Sequence, residues 1–148
     1  LLVATVAANP PASAGAAPAS PAPITPPAPG SGDRAALMDL FRKPMVEVFG
    51  APIEFRVDLI SVSGDHAFAR VHPQRPGARP VKITFPCEAT GEDISLEAFF
   101  LRRAGRWTWD TPADGHPSFC ADDVTYWGDV LRKYGLPPQF VGAESYSD

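Results

Sequence analysis

The first 32 residues contain no Asp, Glu, Lys, Arg or His and no aromatic side chain, and eight of them are proline. All 13 Lys and Arg and all 17 Asp and Glu lie from Asp33 onward. No other feature of the chain constrains its fold as much as this boundary. A segment of Ala, Pro, Ser and Gly buries too little apolar surface to offset the entropy of ordering it. The folded unit is therefore expected over residues 33–140, preceded by an Ala/Pro-rich extended arm over 15–32 and followed by a tail over 141–148. A unit of about that length holds one small core.

Residues 1–14, LLVATVAANPPASA, join an apolar run to an A-x-A-type pattern at Ala12-Ser13-Ala14. They read as the remnant of an export signal or as the end of a membrane anchor. The run is too short to cross a bilayer alone, since a helix needs ~20 apolar residues. Either reading places the domain outside the cytoplasm, in the periplasm or bacterial envelope, with membrane contact at the N-terminus. From Pro10 to Gly32 the composition predicts a stiff polyproline-like arm with a reach of roughly 60–70 Å. The chain has two cysteines, Cys87 and Cys120. In an oxidising compartment they are expected to form a disulfide. Closing that loop would stabilise the fold by roughly 3.5–4 kcal/mol in the chain-entropy model. Net charge is −4 with no basic stripe, which argues against nucleic acid as a partner, because cations on phosphates supply most of such affinity.

Beyond the boundary the apolar period names the elements. Asp33 is a good N-cap, and Leu37, Leu40, Phe41, Met45 and Val48 recur at helical spacing. Pro44 predicts a kink or a split into two short helices. Ile53, Phe55, Val57 and Leu59 then alternate with polar residues, and the phase slips to Ile60 and Val62. Such a slip predicts a β-bulge. Ser63-Gly64-Asp65 is a turn, HAFARVH the returning strand and PQRPGARP a loop. VKITF, ISLEAFFLRR and RWTWD read as further strands, with a tight turn at Ala104-Gly105. Val124, Trp127, Leu131 and Tyr134 form the buried stripe of a last helix, ended by Gly135 and Pro137. The predicted fold is α+β: a kinked N-terminal helix and a C-terminal helix packed as one layer on a bent antiparallel meander sheet of about five strands. Cystatin and NTF2-like folds share this plan.

Two stretches, LFRKPMVEVFGAPIEFRVDLISVSGDHAFARVHPQRPG and DVTYWGDVLRKYGLPPQF, resemble a group of small secreted bacterial proteins. The shared pattern is L-R-P-x-V-E, V-x-F-x-V, V-x-G-D-W-A-F, P-Q-R-P-G and, last, D-V-x-Y with Y-G-x-P. It covers most of residues 33–140, with His66 where the group often has Trp. The resemblance implies a compartment and a fold, and it assigns no functional residue.

Three constellations remain to be weighed. His66, Phe68, Arg70 and His72 share one strand face, and Ala67, Ala69 and Val71 share the other. His66 and His72 lie ~20 Å apart along a strand, too far for one metal ion. With Arg75 and Arg79 they form a polar surface that suits solvent or a partner protein. The stretch DTPADGHPSFCADD gathers Asp110, Asp114, His116, Asp122 and Asp123 without the ligand spacing of a Ca²⁺ loop, so capping and turn formation explain it. Trp107, Trp109, Phe119, Tyr126 and Trp127 are core aromatics, or else, with Asp58, Asp110 and His116, the lining of an apolar pocket. Nucleotide-binding, serine-hydrolase and zinc motifs are absent from the sequence. The expected function is a non-catalytic extracytoplasmic accessory subunit, without cofactor, metal or catalytic residue. Residues 1–32 are expected to attach it to a partner protein in a membrane or envelope assembly. The alternative is a small secreted NTF2-like enzyme or ligand-binding protein with an apolar pocket.

Overall fold

The computed structural model describes residues 22–82, 95–110 and 124–142, without the side chains of residues 124–126. The first helix, α1, spans Gly32–Phe49. Ser31, in extended conformation, caps it by accepting a hydrogen bond from the Arg34 N–H at 3.3 Å. Asp33, predicted as the cap, lies in the first turn instead, where its charge suits the helix dipole. Its Oδ1 accepts a hydrogen bond from the Trp107 indole N–H at 3.0 Å. Leu37, Met38, Phe41 and Met45 are buried, and full burial of such side chains contributes about 1.5–3 kcal/mol each. Val48, predicted on the buried stripe, is 48% exposed. The predicted split at Pro44 does not occur: α1 is one element with the proline inside it. Phe41 and Met45, on either side of the missing N–H bond, are fully buried and hold the turn in place.

Five antiparallel strands follow: β1 (Glu54–Ser63), β2 (His66–Arg75), β3 (Arg79–Pro80), β4 (Leu96–Arg103) and β5 (Arg106–Trp109). The sheet runs β1-β2-β4-β5, and β3 pairs with the far end of β2. Gly64-Asp65 joins β1 to β2 in a two-residue turn, with Gly64 at φ 58°. The predicted bulge falls at Asp58: Val57 pairs with Val71 and Leu59 with Arg70, leaving Asp58 unmatched. β2 runs three residues past its predicted end, through Pro73. The short β3 lies inside the predicted loop, and of VKITF only Val81 and Lys82 are described, neither in a strand.

The two helices do not form one layer. Phe55, Val57, Ile60, Ala67, Ala69, Val71, Leu96, Ala98, Phe100, Trp107 and Trp109 pack with α1. Strand alternation points Leu59, Phe68 and Phe99 to the opposite face. There they pack with Trp127 and Leu131 of the second helix, α2 (Val124–Tyr134), and with Leu136, Phe140 and Val141 around the 3₁₀ turn Pro138–Val141. The sheet is therefore the middle layer between two cores. α2 ends as predicted, with Gly135 at φ 64° and the Leu136 N–H donating to the Leu131 carbonyl at 2.9 Å. No described helix is long and apolar enough to cross a membrane.

Part of the Pro-rich arm belongs to the fold. The Thr25 N–H donates to the Val62 carbonyl and the Val62 N–H to the Thr25 carbonyl, both at 2.9 Å. Ser63 Oγ donates to the Ala22 carbonyl at 2.8 Å, and Ile24 packs into the α2-side core. These contacts cover one end of the β1 edge, which carries no other strand among the described residues. Cys87 and Cys120, with their expected disulfide, lie outside the described residues. Removing residues 1–21 should leave stability unchanged in urea unfolding. Removing residues 1–30 should lower it by about 2–3 kcal/mol, from two backbone hydrogen bonds and Ile24. Equal stability of the two shortened chains would show that the docked arm contributes nothing.

Candidate functional site

On the α2 face, strand register brings Arg70 of β2 directly opposite Glu97 of β4. Glu97 is buried at 6% exposure within an otherwise apolar strand segment. Arg70 Nε donates to Glu97 Oε1, and the Trp127 indole N–H donates to Oε2 at 2.5 Å. Arg70 reaches on to the Val141 carbonyl at 3.3 Å. One carboxylate thus joins two strands, α2 and the C-terminal turn. A buried charge with donors on both oxygens is a structural group.

A second polar pair sits at the bulge. The Asp58 carboxylate projects beside His72 on β2, with Oδ2 2.5 Å from Nε2, and Arg56 stands 3.6 Å from Oδ1. A third group closes the C-terminal end of α2. Tyr134 donates its hydroxyl to Asp110 Oδ2 at 2.5 Å. Its ring lies against His66, centroids 4.6 Å apart, and the Lys133 ammonium sits 4.8 Å from its centroid. Burial first, and the hydrogen bond to Asp110 second, raise the Tyr134 pKa above its ordinary value. The Lys133 pKa is also raised, chiefly by its hydrogen bond to Tyr134.

The sheet separates the residues predicted to share a pocket. Trp107 and Trp109 face α1, with Trp109 packed on Phe41 and Phe100 at 5.2 and 4.9 Å between centroids. Trp127 faces the other way, against Phe68 and Phe99 at 5.5 and 5.3 Å. Asp110 reaches Tyr134, and Asp58 reaches His72. His116 and the Tyr126 side chain lie outside the described residues, as do Asp114, Phe119, Asp122 and Asp123. Among the described residues, no group of three His, Cys, Asp or Glu is placed to hold a metal ion.

The residues predicted to face a partner are mostly engaged within the chain. Arg70 is held by Glu97 and Val141, His72 by Asp58, and His66 stacks on Tyr134. Arg75 donates to the carbonyls of Phe49, Gly50 and Pro52 at 2.5, 2.6 and 3.0 Å, which closes the C-terminal end of α1. Arg79 is exposed, with Nε donating to the Pro76 carbonyl at 3.1 Å. It lines an open groove of about 590 Å³ with Val48, Phe49, Pro52, Pro80 and Lys82. Sequence reasoning missed Glu97 and the apolar floor of this groove, although it placed Arg75 and Arg79 toward a partner. Glu97 had a signal: a lone acid in LEAFF, matched by a lone arginine in FARV on the paired strand. The floor had none, because α1, the following loop and the β2–β3 hairpin meet only in three dimensions.

No protein-family model, curated protein or solved structure matches this chain.

Glu97→Gln should destabilise the fold by about 1–3 kcal/mol in urea unfolding followed by tryptophan fluorescence. The partial exposure of Arg70 keeps the loss below that of a fully buried broken pair. An unchanged midpoint would mean the carboxylate charge contributes nothing. In alkaline titration at 295 nm, part of the tyrosine signal should ionise later than free tyrosine. Tyr134→Phe should remove that part, and Asp110→Asn should move it down. Because the folded value is raised, its contribution to stability is complete below about pH 10 and is lost as pH rises through the folded value.

Proposed function

We propose that this chain is a non-catalytic accessory subunit of an extracytoplasmic membrane or envelope assembly, attached through its N-terminal arm. The carrying observation is the paired bonding of Thr25 with Val62. It anchors the described end of the arm, from Ala22 to Thr25, beside β1. A tether with one fixed end loses less entropy on docking than a free one. The polar groups on the strand faces favour the same reading. Arg70, Glu97, His72, Asp58, Asp110 and Tyr134 all have partners within the chain. The alternative reading, an NTF2-like enzyme or ligand carrier, needs an enclosed pocket, and the tryptophans that would line it pack on opposite faces of the sheet.

Removing residues 1–21, which leaves Thr25 in place, should abolish co-purification with native membranes. Changing His66 and His72 to Ala should leave co-purification intact. Retention of the shortened chain together with loss of the double-histidine variant would place the attachment on the domain and reject this reading.

A further inference from the structure

The groove at the C-terminal end of α1 combines three features. Its floor is apolar: Phe49, Ala51, Pro52 and Pro80 line it beside Val48, the one exposed large hydrophobic residue among those described. Its rim is cationic: Arg75, Arg79 and Lys82 converge there on a chain of net charge −4. Their charges are used differently. Arg75 is spent on the carbonyls of Phe49, Gly50 and Pro52, where it offsets the negative end of the α1 dipole. Arg79 and Lys82 are exposed, and neither meets a carboxylate among the described residues. Glu47 and Glu54, the acids nearest in sequence, do not line the groove. Among the described residues no carboxylate lines the groove, and its rim attracts an anion.

We propose that this groove docks an acidic segment of a partner protein, with an apolar side chain on the Phe49–Pro52 floor and carboxylates on Arg79 and Lys82. Charge complementarity names the occupant. The open shape suits a peptide rather than a small molecule, because small-molecule sites enclose most of their ligand. Pro52 and Pro80 have no N–H to donate, so strand addition at this wall is disfavoured. Side-chain charge and apolar contact then carry recognition. The inference rests on the reading of the chain as a binding module but not on the arm.

The test is fluorescence anisotropy of the full chain with a labelled octapeptide of six glutamates and two leucines. Saturable binding should weaken about tenfold in the Arg79→Glu, Lys82→Glu double variant and should fall with rising salt. Val48→Ser should weaken it by a few-fold. Thermal melting checks that the variants fold, and Arg79→Gln with Lys82→Gln serves as a milder second variant. Three results would overturn the proposal: equal affinity in the charge variants, equal affinity for the glutamine version of the peptide, or no peptide binding. Binding of phosphatidylglycerol vesicles through Arg79 and Lys82 without peptide binding would also reject it in favour of a membrane surface. Failure here leaves the arm experiment unaffected, and failure of the arm experiment leaves this one standing.

Discussion

A carboxylate inside a sheet must be met by hydrogen-bond donors, because leaving it bare costs several kcal/mol. Glu97 is met from both sides, by Arg70 and by Trp127. Much of the α2 face depends on this. Arg70 is fixed in register opposite Glu97, and its far end reaches the Val141 carbonyl. Trp127 must turn its indole N–H toward the strand, which sets the rotation of α2 about its axis. The apolar contacts of Phe68, Phe99, Leu131 and Phe140 supply most of the burial energy on this face. Apolar contact alone is non-directional, so the carboxylate adds the direction that greasy packing lacks.

The other face follows a different logic. Ala67, Ala69 and Ala98 present small side chains, and Phe41 of α1 packs there against Phe55, Phe100 and Trp109. The bulge at Asp58 lets one strand serve both faces. Before it, Phe55 and Val57 point toward α1, and after it Ile60 and Val62 do so, while Leu59 turns to the α2 side. Were Asp58 paired in a regular ladder instead of bulged out, the alternation would turn Ile60 and Val62 away from α1.

Features written in local periodicity were legible in the sequence. The bulge, the turns at Gly64 and Gly105, the interior position of β4 and the glycine end of α2 all follow from the phase of apolar residues or from positive φ. Features set by tertiary contact were not. Nothing local says that α1 and α2 take opposite faces, and both faces of β4 being apolar was the one hint. Ser31 displaced Asp33 as cap because Asp33 is drawn to Trp107, 74 positions away. The arm looked too poor in apolar surface to order, yet Thr25 and Ile24 find an edge and a core already built by others. Of the predicted site residues, the pocket set was split by the sheet, and most of the surface set was claimed by internal partners.

α1 carries no basic residue in its last turn. The cation that closes its C-terminal end comes from β2, as Arg75, which is 25 positions beyond Gly50. The helix is thus completed by a group that the β1–β2 hairpin carries. Short helices are marginal without tertiary support. The first turn of α1 has a local cap in Ser31, whereas its last turn is supported from the hairpin. The two ends of one helix are thus closed by different means, a local side chain at the start and a distant strand at the finish.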